Sequence, residues 1–212
     1  GSIINVYAED GTTLLATTTA GSDTWSISDS DFSGNTISDG SHTLKVKAFD
    51  PITDVPSEPK DFAITIDTLN PTVDSISVSE GTSGFISNDA SINVSFSFSE
   101  ATTDFDLNDI SLTDGDITTL SGFSGTGDSY SVTFTPDSDG TKTISIAGGA
   151  FTDQAGNTND VSSTFTWTYD STGPAITSLG TVAFDENIAG GSTIYTVTAD
   201  DGSGTGVKAD SF

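Results

Sequence analysis

Aspartate is the residue type through which this chain could do chemistry. Its 212 residues carry 31 acids against five bases, a formal net charge of −26 at pH 7. Only Glu9, Glu58, Glu80, Glu100 and Glu186 are glutamates, which leaves 31 − 5 = 26 aspartates. A short carboxylate favours turns and binds hard cations through oxygen. Oxygen ligation of a calcium-like ion is therefore the chemistry this set is suited to. With no cysteine there is no disulfide, zinc–thiolate site or thiol nucleophile. The single histidine, His42, has no Gly-x-Ser-x-Gly elbow to serve. It reads as an exposed structural residue beside the Asp39-Gly40 turn. Acids this abundant single out no glycosidase pair, and no Asp-x-Asp-x-Asp-Gly loop runs on to a glutamate at the spacing of an EF-hand.

The bases exclude other functions. All five are lysines, Lys45, Lys47, Lys60, Lys142 and Lys208, and there is no arginine. Nucleic-acid binding needs a basic face, so it is excluded, and docking on anionic lipid is disfavoured. No run of apolar residues is long enough to insert into a membrane. The chain has no methionine and no signal peptide, and reads as a fragment whose export signal lies elsewhere.

The elements that must position these acids are strands. Ile92–Phe98 alternates strictly, with Ile92, Val94, Phe96 and Phe98 on one face. Tyr130–Phe134, Phe165–Tyr169 and Ile194–Thr198 do the same, with Ser or Thr opposite. Period-two alternation marks half-buried antiparallel strands. Asp10-Gly11, Asp39-Gly40, Asp114-Gly115 and Asp139-Gly140 supply the turns between them. The expected fold is all-β: tandem immunoglobulin-like antiparallel β-sandwiches.

An internal repeat of about 103 residues sets the boundaries. Ser38-Asp39-Gly40 recurs as Ser138-Asp139-Gly140, and Thr43-Leu44-Lys45-Val46 as Thr143-Ile144-Ser145-Ile146. Phe62, Ile64, Ile66 and Asp67 map onto Phe165, Trp167, Tyr169 and Asp170, and Thr24-Trp25 maps onto Ser129-Tyr130. Residues 1–70 then form an N-terminally truncated Ig-like domain that opens on a third strand, Ile3–Tyr7. Residues 71–172 form a complete domain, and 173–212 begin a third Ig-like or cadherin-like one. The truncated cores need cover. Residues outside this chain are the simpler source; the other is complementation of the end pieces, within a chain or between chains.

At these residues the chain resembles a family. Val6–Leu15, Thr24-Trp25-Ser26 and Asp39–Leu44 are similar to the bacterial Ig-like repeats of giant RTX-type, biofilm-associated surface adhesins, as is the loop Phe151–Asn159. Asp185-Glu186-Asn187, followed by a Thr/Val strand and Asp200-Asp201, is similar to the start of a cadherin-like repeat. The glycine-rich RTX nonapeptide is absent. The adhesin resemblance implies an extracellular stalk on a bacterial cell surface, with tandem domains stiffened by calcium (Ca2+) at their junctions. It identifies no ligand.

In such a sandwich Glu100 falls in the B–C loop, and Asp153 and Asn157 in the F–G loop, beside the linker Asp67–Asn70. Calcium takes six to eight oxygens at about 2.3–2.6 Å. Asp67, Glu100 and Asp153, with the Asn70 or Asn157 amide and backbone carbonyls, could supply them. By the repeat, a second site gathers Asp170, Asp200, Asp201 and Glu186, with help from Asp139. The Asp39 and Asp139 turns otherwise read as turn chemistry, and Asp104, Asp106 and Asp109 as solvated. Trp25 and Trp167 read as core residues. The chain reads as a non-enzymatic extender whose partners are neighbouring repeats, each adding roughly 40 Å. One rival is an adhesion module binding glycan or protein through exposed Phe85, Phe105 and Phe123. Another is an Ig-like accessory domain of a secreted hydrolase.

Overall fold

The alternating segments form strands because each has one face to bury and Ser or Thr to present to solvent. The computed structural model describes residues 1–21, 24–28, 31–32, 36–113, 119–178, 180–181, 183, 189–191 and 193–201. The chain divides into two compact units, Gly1–Leu69 and Asn70–Phe212.

In the first unit β1 (Ile3–Tyr7), β2 (Leu14–Thr19), β3 (Gly40–Phe49) and β4 (Lys60–Ile66) make one antiparallel sheet, in the order β2-β1-β3-β4. Its small core is Val6, Ala16 and Leu44, with Ile27, Phe32, Val46 and Ile64 packed against it. The hairpin between β1 and β2 closes on Asp10, which accepts from Thr12 N, Thr13 N and the Thr13 hydroxyl at 2.8, 2.8 and 2.6 Å. Those bonds, the Thr13 hydroxyl first, lower its pKa to about 2.

The second unit holds the strands β5 (Val73–Val78), β6 (Phe85–Ser87), β7 (Ile92–Phe98), β8 (Ile110–Thr113), β9 (Leu120–Thr126), β10 (Ser129–Phe134), β11 (Gly140–Ile146) and β12 (Phe165–Tyr169). They form two four-stranded sheets, β5-β7-β10-β9 and β6-β12-β11-β8. The sheets share one core. Val94, Val132, Phe134, Ile144 and Ile146 are each 0% exposed, and Phe134 meets Trp167 edge-on at 5.0 Å. Burying each such side chain is worth about 1.5–3 kcal/mol. This is the β-sandwich the alternation implied. One pairing departs from the antiparallel expectation: β6 runs parallel to β12. The chain crosses between sheets after β5, turns at Gly84 (φ 94°), and donates Gly84 N to Thr166 O at 2.7 Å.

The repeat is visible in register. His42 faces Ile64 and Leu44 faces Phe62 across β3–β4, while Lys142 faces Trp167 and Ile144 faces Phe165 across β11–β12. His42 and Lys142 thus share one inward position on equivalent strands. Both reach back to the turn before them. The His42 Nε2 lies 2.6 Å from Ser38 O, and the Lys142 ammonium donates to Ser138 Oγ at 3.1 Å and Asp137 Oδ1 at 3.3 Å. His42 is therefore half-buried and bonded rather than an exposed residue. Lys142 is 0% exposed.

The last strands, β13 (Ala175–Ile176) and β14 (Ala199–Asp200), pair antiparallel. The strand expected over Ile194–Thr198 is not formed: Thr198 O accepts from Thr177 N at 2.8 Å, and only β14, beyond it, pairs as a strand. Ile194, Tyr195 and Val197 are 54, 38 and 50% exposed, and alternation without a covering surface gives no stable strand.

Desolvating an ammonium costs free energy that its bonds only partly return. Lys142→Met should therefore keep or raise the unfolding free energy of the second unit in urea titration, whereas Lys142→Ala, which leaves a cavity, should lower it by about 2 kcal/mol or more.

Candidate metal centre

The site is built on the long loop between β11 and β12. Its anchor is Asn159, 3% exposed, with every polar group engaged. Its Oδ1 accepts from Ala150 N and Phe151 N at 2.7 and 2.9 Å, and its Nδ2 donates to the Ala147 and Asp160 carbonyls, each at 2.8 Å. Above it Asp153, 2% exposed, closes a tight turn. Its Oδ1 accepts from Gly156 N at 2.7 Å and Asn157 N at 2.9 Å, and its Oδ2 from Asn157 Nδ2 at 2.9 Å. Gly156 has φ 95°, which a side chain would strain. Burial raises the Asp153 pKa, and donors from Asn157, Gly156 and Ala155 outweigh it, so the carboxyl titrates below its ordinary value.

The loop after β7 is fastened alongside. Asp104 accepts from Thr152 N at 2.7 Å and the Thr152 hydroxyl at 3.1 Å, and Thr103 N donates to Thr152 O at 3.1 Å. Thr102 forms a bridge with Asp153. This brings half-buried Glu100 to the same end of the sandwich as Asp153. Asp104 is thus a strut rather than a solvated acid. Asp106 and Asp109 also have structural roles, capping the 3-10 turn Leu107–Asp109: Asp106 Oδ1 accepts from Asn108 N at 2.6 Å, and Asp109 Oδ2 from Asp106 N at 2.7 Å. Burial raises the Asp109 pKa.

The chain leading into this domain is pinned by Asn70, whose Nδ2 donates to Asp160 Oδ1 at 3.1 Å, and by buried Pro71, whose carbonyl accepts from Asp160 N at 3.0 Å. The Asn70 and Asn157 amide nitrogens are thus hydrogen-bond donors to acids, which residue type alone did not reveal.

Asp67 and its repeat partner Asp170 adopt one geometry. Each accepts from the backbone N–H two residues on, Leu69 and Thr172, both at 3.2 Å. The turn aspartates before β3 and β11 do more than turn. Asp39 accepts from the Thr68 hydroxyl at 2.9 Å, and Asp139 from Ser171 N at 2.8 Å, the Ser171 hydroxyl at 2.7 Å and the Thr172 hydroxyl. Those donors, the Thr172 hydroxyl first, lower the Asp139 pKa. In each repeat a turn carboxylate clamps the segment that leaves the last strand.

Comparison with known proteins now bears on this geometry. Residues 67–169 match the model of a bacterial Ig-like domain. The match spans just under half of the chain and begins at Asp67. No curated protein and no solved structure matches the chain. Within the matched residues, one carboxylate oxygen from each of Asp67, Glu100 and Asp153 lies within 4.8 Å of the others. Among the described residues no other group of three acids gathers in this way. Asp170 sits in its turn, Asp200 faces Ala175 across β13–β14, and Asp201 is 7% exposed. Glu186 lies outside the described residues.

The aromatic residues fall differently from the expectation. Trp167 is 1% exposed, as expected, but Trp25 is 44% exposed. Phe105, one of the residues a glycan-binding surface would need exposed, is 5% exposed and packs against Phe98 at 4.9 Å. Phe85 and Phe123 are half-buried, against Phe165 and Tyr130.

Asn159→Ala removes partners from buried backbone groups and should cost at least about 2 kcal/mol in urea unfolding. Asp153 contributes acid sensitivity of a defined sign. Its folded pKa lies below the ordinary 3.8, so its contribution is complete above about pH 4 and is lost as pH falls through the folded value. In chelator, the stability gap between wild type and Asp153→Asn should narrow as pH drops below about 4.

Proposed function

We propose that this chain is a structural extender segment of a secreted bacterial cell-surface adhesin, non-enzymatic, in which calcium stiffens the approach to each Ig-like domain. The observation that carries this reading is the group formed by Asp67, Glu100 and Asp153. Calcium–oxygen distances of about 2.3–2.6 Å place two oxygens on one ion no more than about 5 Å apart. The 4.8 Å limit on the three carboxylates meets that condition. Their all-oxygen, triply anionic character suits a hard divalent cation and not a soft one.

The residues divide the work. Asp153 is already oriented by its own loop, so its placement costs no ordering on binding. Glu100 comes from the neighbouring loop, and Asp67 from the chain three residues before the Asn70 anchor. An ion bonded to all of them would tie that chain to the sandwich, replacing mutual repulsion with shared attraction. Stacked end to end, domains joined in this way would give reach and stiffness rather than recognition.

With a Kd of about 10⁻⁴–10⁻³ M, typical of extracellular modules, 10 mM calcium would stabilise the domain by about 1.4–2.7 kcal/mol per site. For a domain of this size that is a rise in melting temperature of roughly 6–20 °C. Calorimetric melts in calcium and in chelator measure it. Glu100→Gln, which keeps the side chain's size and removes one of the three negative charges, should abolish the rise. Equal melting temperatures in wild type would remove the calcium reading.

A further inference from the structure

The loop between β3 and β4 holds a group of features that an extender does not need. Of the six prolines in the chain, only Pro51 follows an aspartate. An Asp–Pro bond is open to attack by its own side chain. A carboxylate oxygen closes a five-membered ring when it reaches the peptide carbonyl carbon, and the proline nitrogen, which carries no N–H, leaves once it is protonated. The equivalent acid of the second unit, Asp153, is 2% exposed and is followed by Gln154. Asp50 and every residue from 51 to 60 are exposed, so water reaches the whole loop.

The backbone is shaped around this bond. Asp50 Oδ1 accepts from Ile52 N at 2.9 Å and from Thr53 N at 2.8 Å, which holds the carboxylate in the turn. Those donors, Thr53 N first, lower its pKa. The Asp50 carbonyl accepts from Asp54 N at 3.0 Å. That donor is aimed at the oxygen on which negative charge grows when the carbonyl carbon is attacked. Asp54 has φ 55°, the one positive φ at a non-glycine residue among those described, so the donor is held in a strained backbone. Asp50 N donates to Val55 O at 3.1 Å, and Phe49 forms a bridge with Pro56, so both ends of the loop are fastened. The other charged groups near Asp50 are Asp54 and Glu58 on the loop and Lys47 on β3; β1 alongside brings uncharged Ile3 opposite Phe49.

Nucleophile, leaving group and oxyanion donor thus meet at one bond. We propose that the Asp50–Pro51 bond cleaves itself in mild acid. Asp50 Oδ2, the oxygen that takes neither backbone N–H, attacks the Asp50 carbonyl carbon. The carbonyl oxygen takes the negative charge, against the Asp54 N–H. The C–N bond then breaks. Its electron pair goes to the Pro51 nitrogen, which takes a proton from acidic water and becomes a new amino end. The cyclic anhydride left on residue 50 takes up one water and opens to two carboxyl groups. The net change is one peptide bond and one water consumed, with no cofactor. Acid protonates the leaving nitrogen, and an ionised carboxylate is needed for attack. The bonds that lower the Asp50 pKa keep it ionised further into acid, so both conditions overlap more than in a free chain.

The cut falls between two paired strands. β3 and β4 stay in register from Gly40 opposite Ile66 to Val46 opposite Lys60. The piece ending at Asp50 and the piece beginning at Pro51 therefore remain together until the sheet is pulled apart. In an extender this converts a covalent link into one that parts under load. The cleavage itself is independent of the metal group, and the experiment is run in chelator so that failure of either reading leaves the other standing.

Incubation of the full chain at about pH 3–5, with circular dichroism to follow the fold and intact mass read after denaturation, tests this. The expected result is two fragments that end at Asp50 and begin at Pro51, their masses summing to the chain plus one water. They should form at least about tenfold faster in the folded chain than in the same chain unfolded in urea at the same pH. Asp50→Asn keeps an oxygen for Ile52 N and Thr53 N, and Pro51→Ala keeps the carboxylate; each should abolish the cut. The bond between Glu58 and Pro59, where ring closure is larger, should stay intact and serves as the internal control. An uncut folded chain overturns the proposal. So does equal cutting of folded and unfolded chains, which would assign the lability to the dipeptide alone, and so does a cut that persists in Asp50→Asn.

Discussion

A strand with one apolar face is half of a structure, and its stability depends on a second sheet to face it. In the second unit this demand is met. The inward residues of β7 and β10 meet those of β11 and β12, and the side chains at the centre reach zero exposure. The same sequence pattern behaves differently where the partner sheet is incomplete. Phe62 and Phe165 occupy one position of the repeat, yet one is 57% exposed and the other 6%. Tyr195–Thr198 alternates as Ile92–Phe98 does, yet only the latter becomes a full strand. Burial, rather than propensity, decides between them.

The second organising interaction is the aspartate carboxylate as a backbone acceptor. Asp10, Asp153 and Asp139 each collect several N–H or O–H donors, and each has a lowered pKa for that reason. Such a carboxylate fixes a loop at little conformational cost, because its side chain is short. Loops with shapes set in this way can hold further acids at defined separations. Three negative charges held near one another repel, and a hard cation placed among them would replace that repulsion with attraction.

Much of the fold was legible in the sequence. Period-two alternation locates the strands of the second unit, and the strand order of an Ig-like sandwich puts Glu100 and Asp153 in neighbouring loops. Three kinds of feature were not legible. Alternation cannot say whether a covering sheet exists, so Trp25 read as core. Residue type cannot say which partner an acid will choose, so Asp104 read as solvated although it pins Thr152. A basic residue in an alternating strand looks outward-facing unless the register is known; Lys142 and His42 point inward because the glycine turns at Gly40 and Gly140 set that register.

The parallel pairing of β6 with β12 has a mechanical consequence. β6 lies near the beginning of the second sandwich and β12 near its end, and Phe85, Ile86 and Ser87 lie alongside Trp167, Thr168 and Tyr169. Tension applied through the two ends of this sandwich would pull these strands in opposite directions along their common axis. The bonds between them, with Gly84 N to Thr166 O and Asp170 N to Ser87 O, would then bear the load side by side in shear, instead of opening one after another. A hairpin pulled at its open end unzips; this arrangement must slip all its bonds together. This parallel pair, the one exception to antiparallel order among the described residues, is therefore the feature that would let the domain carry force along its length.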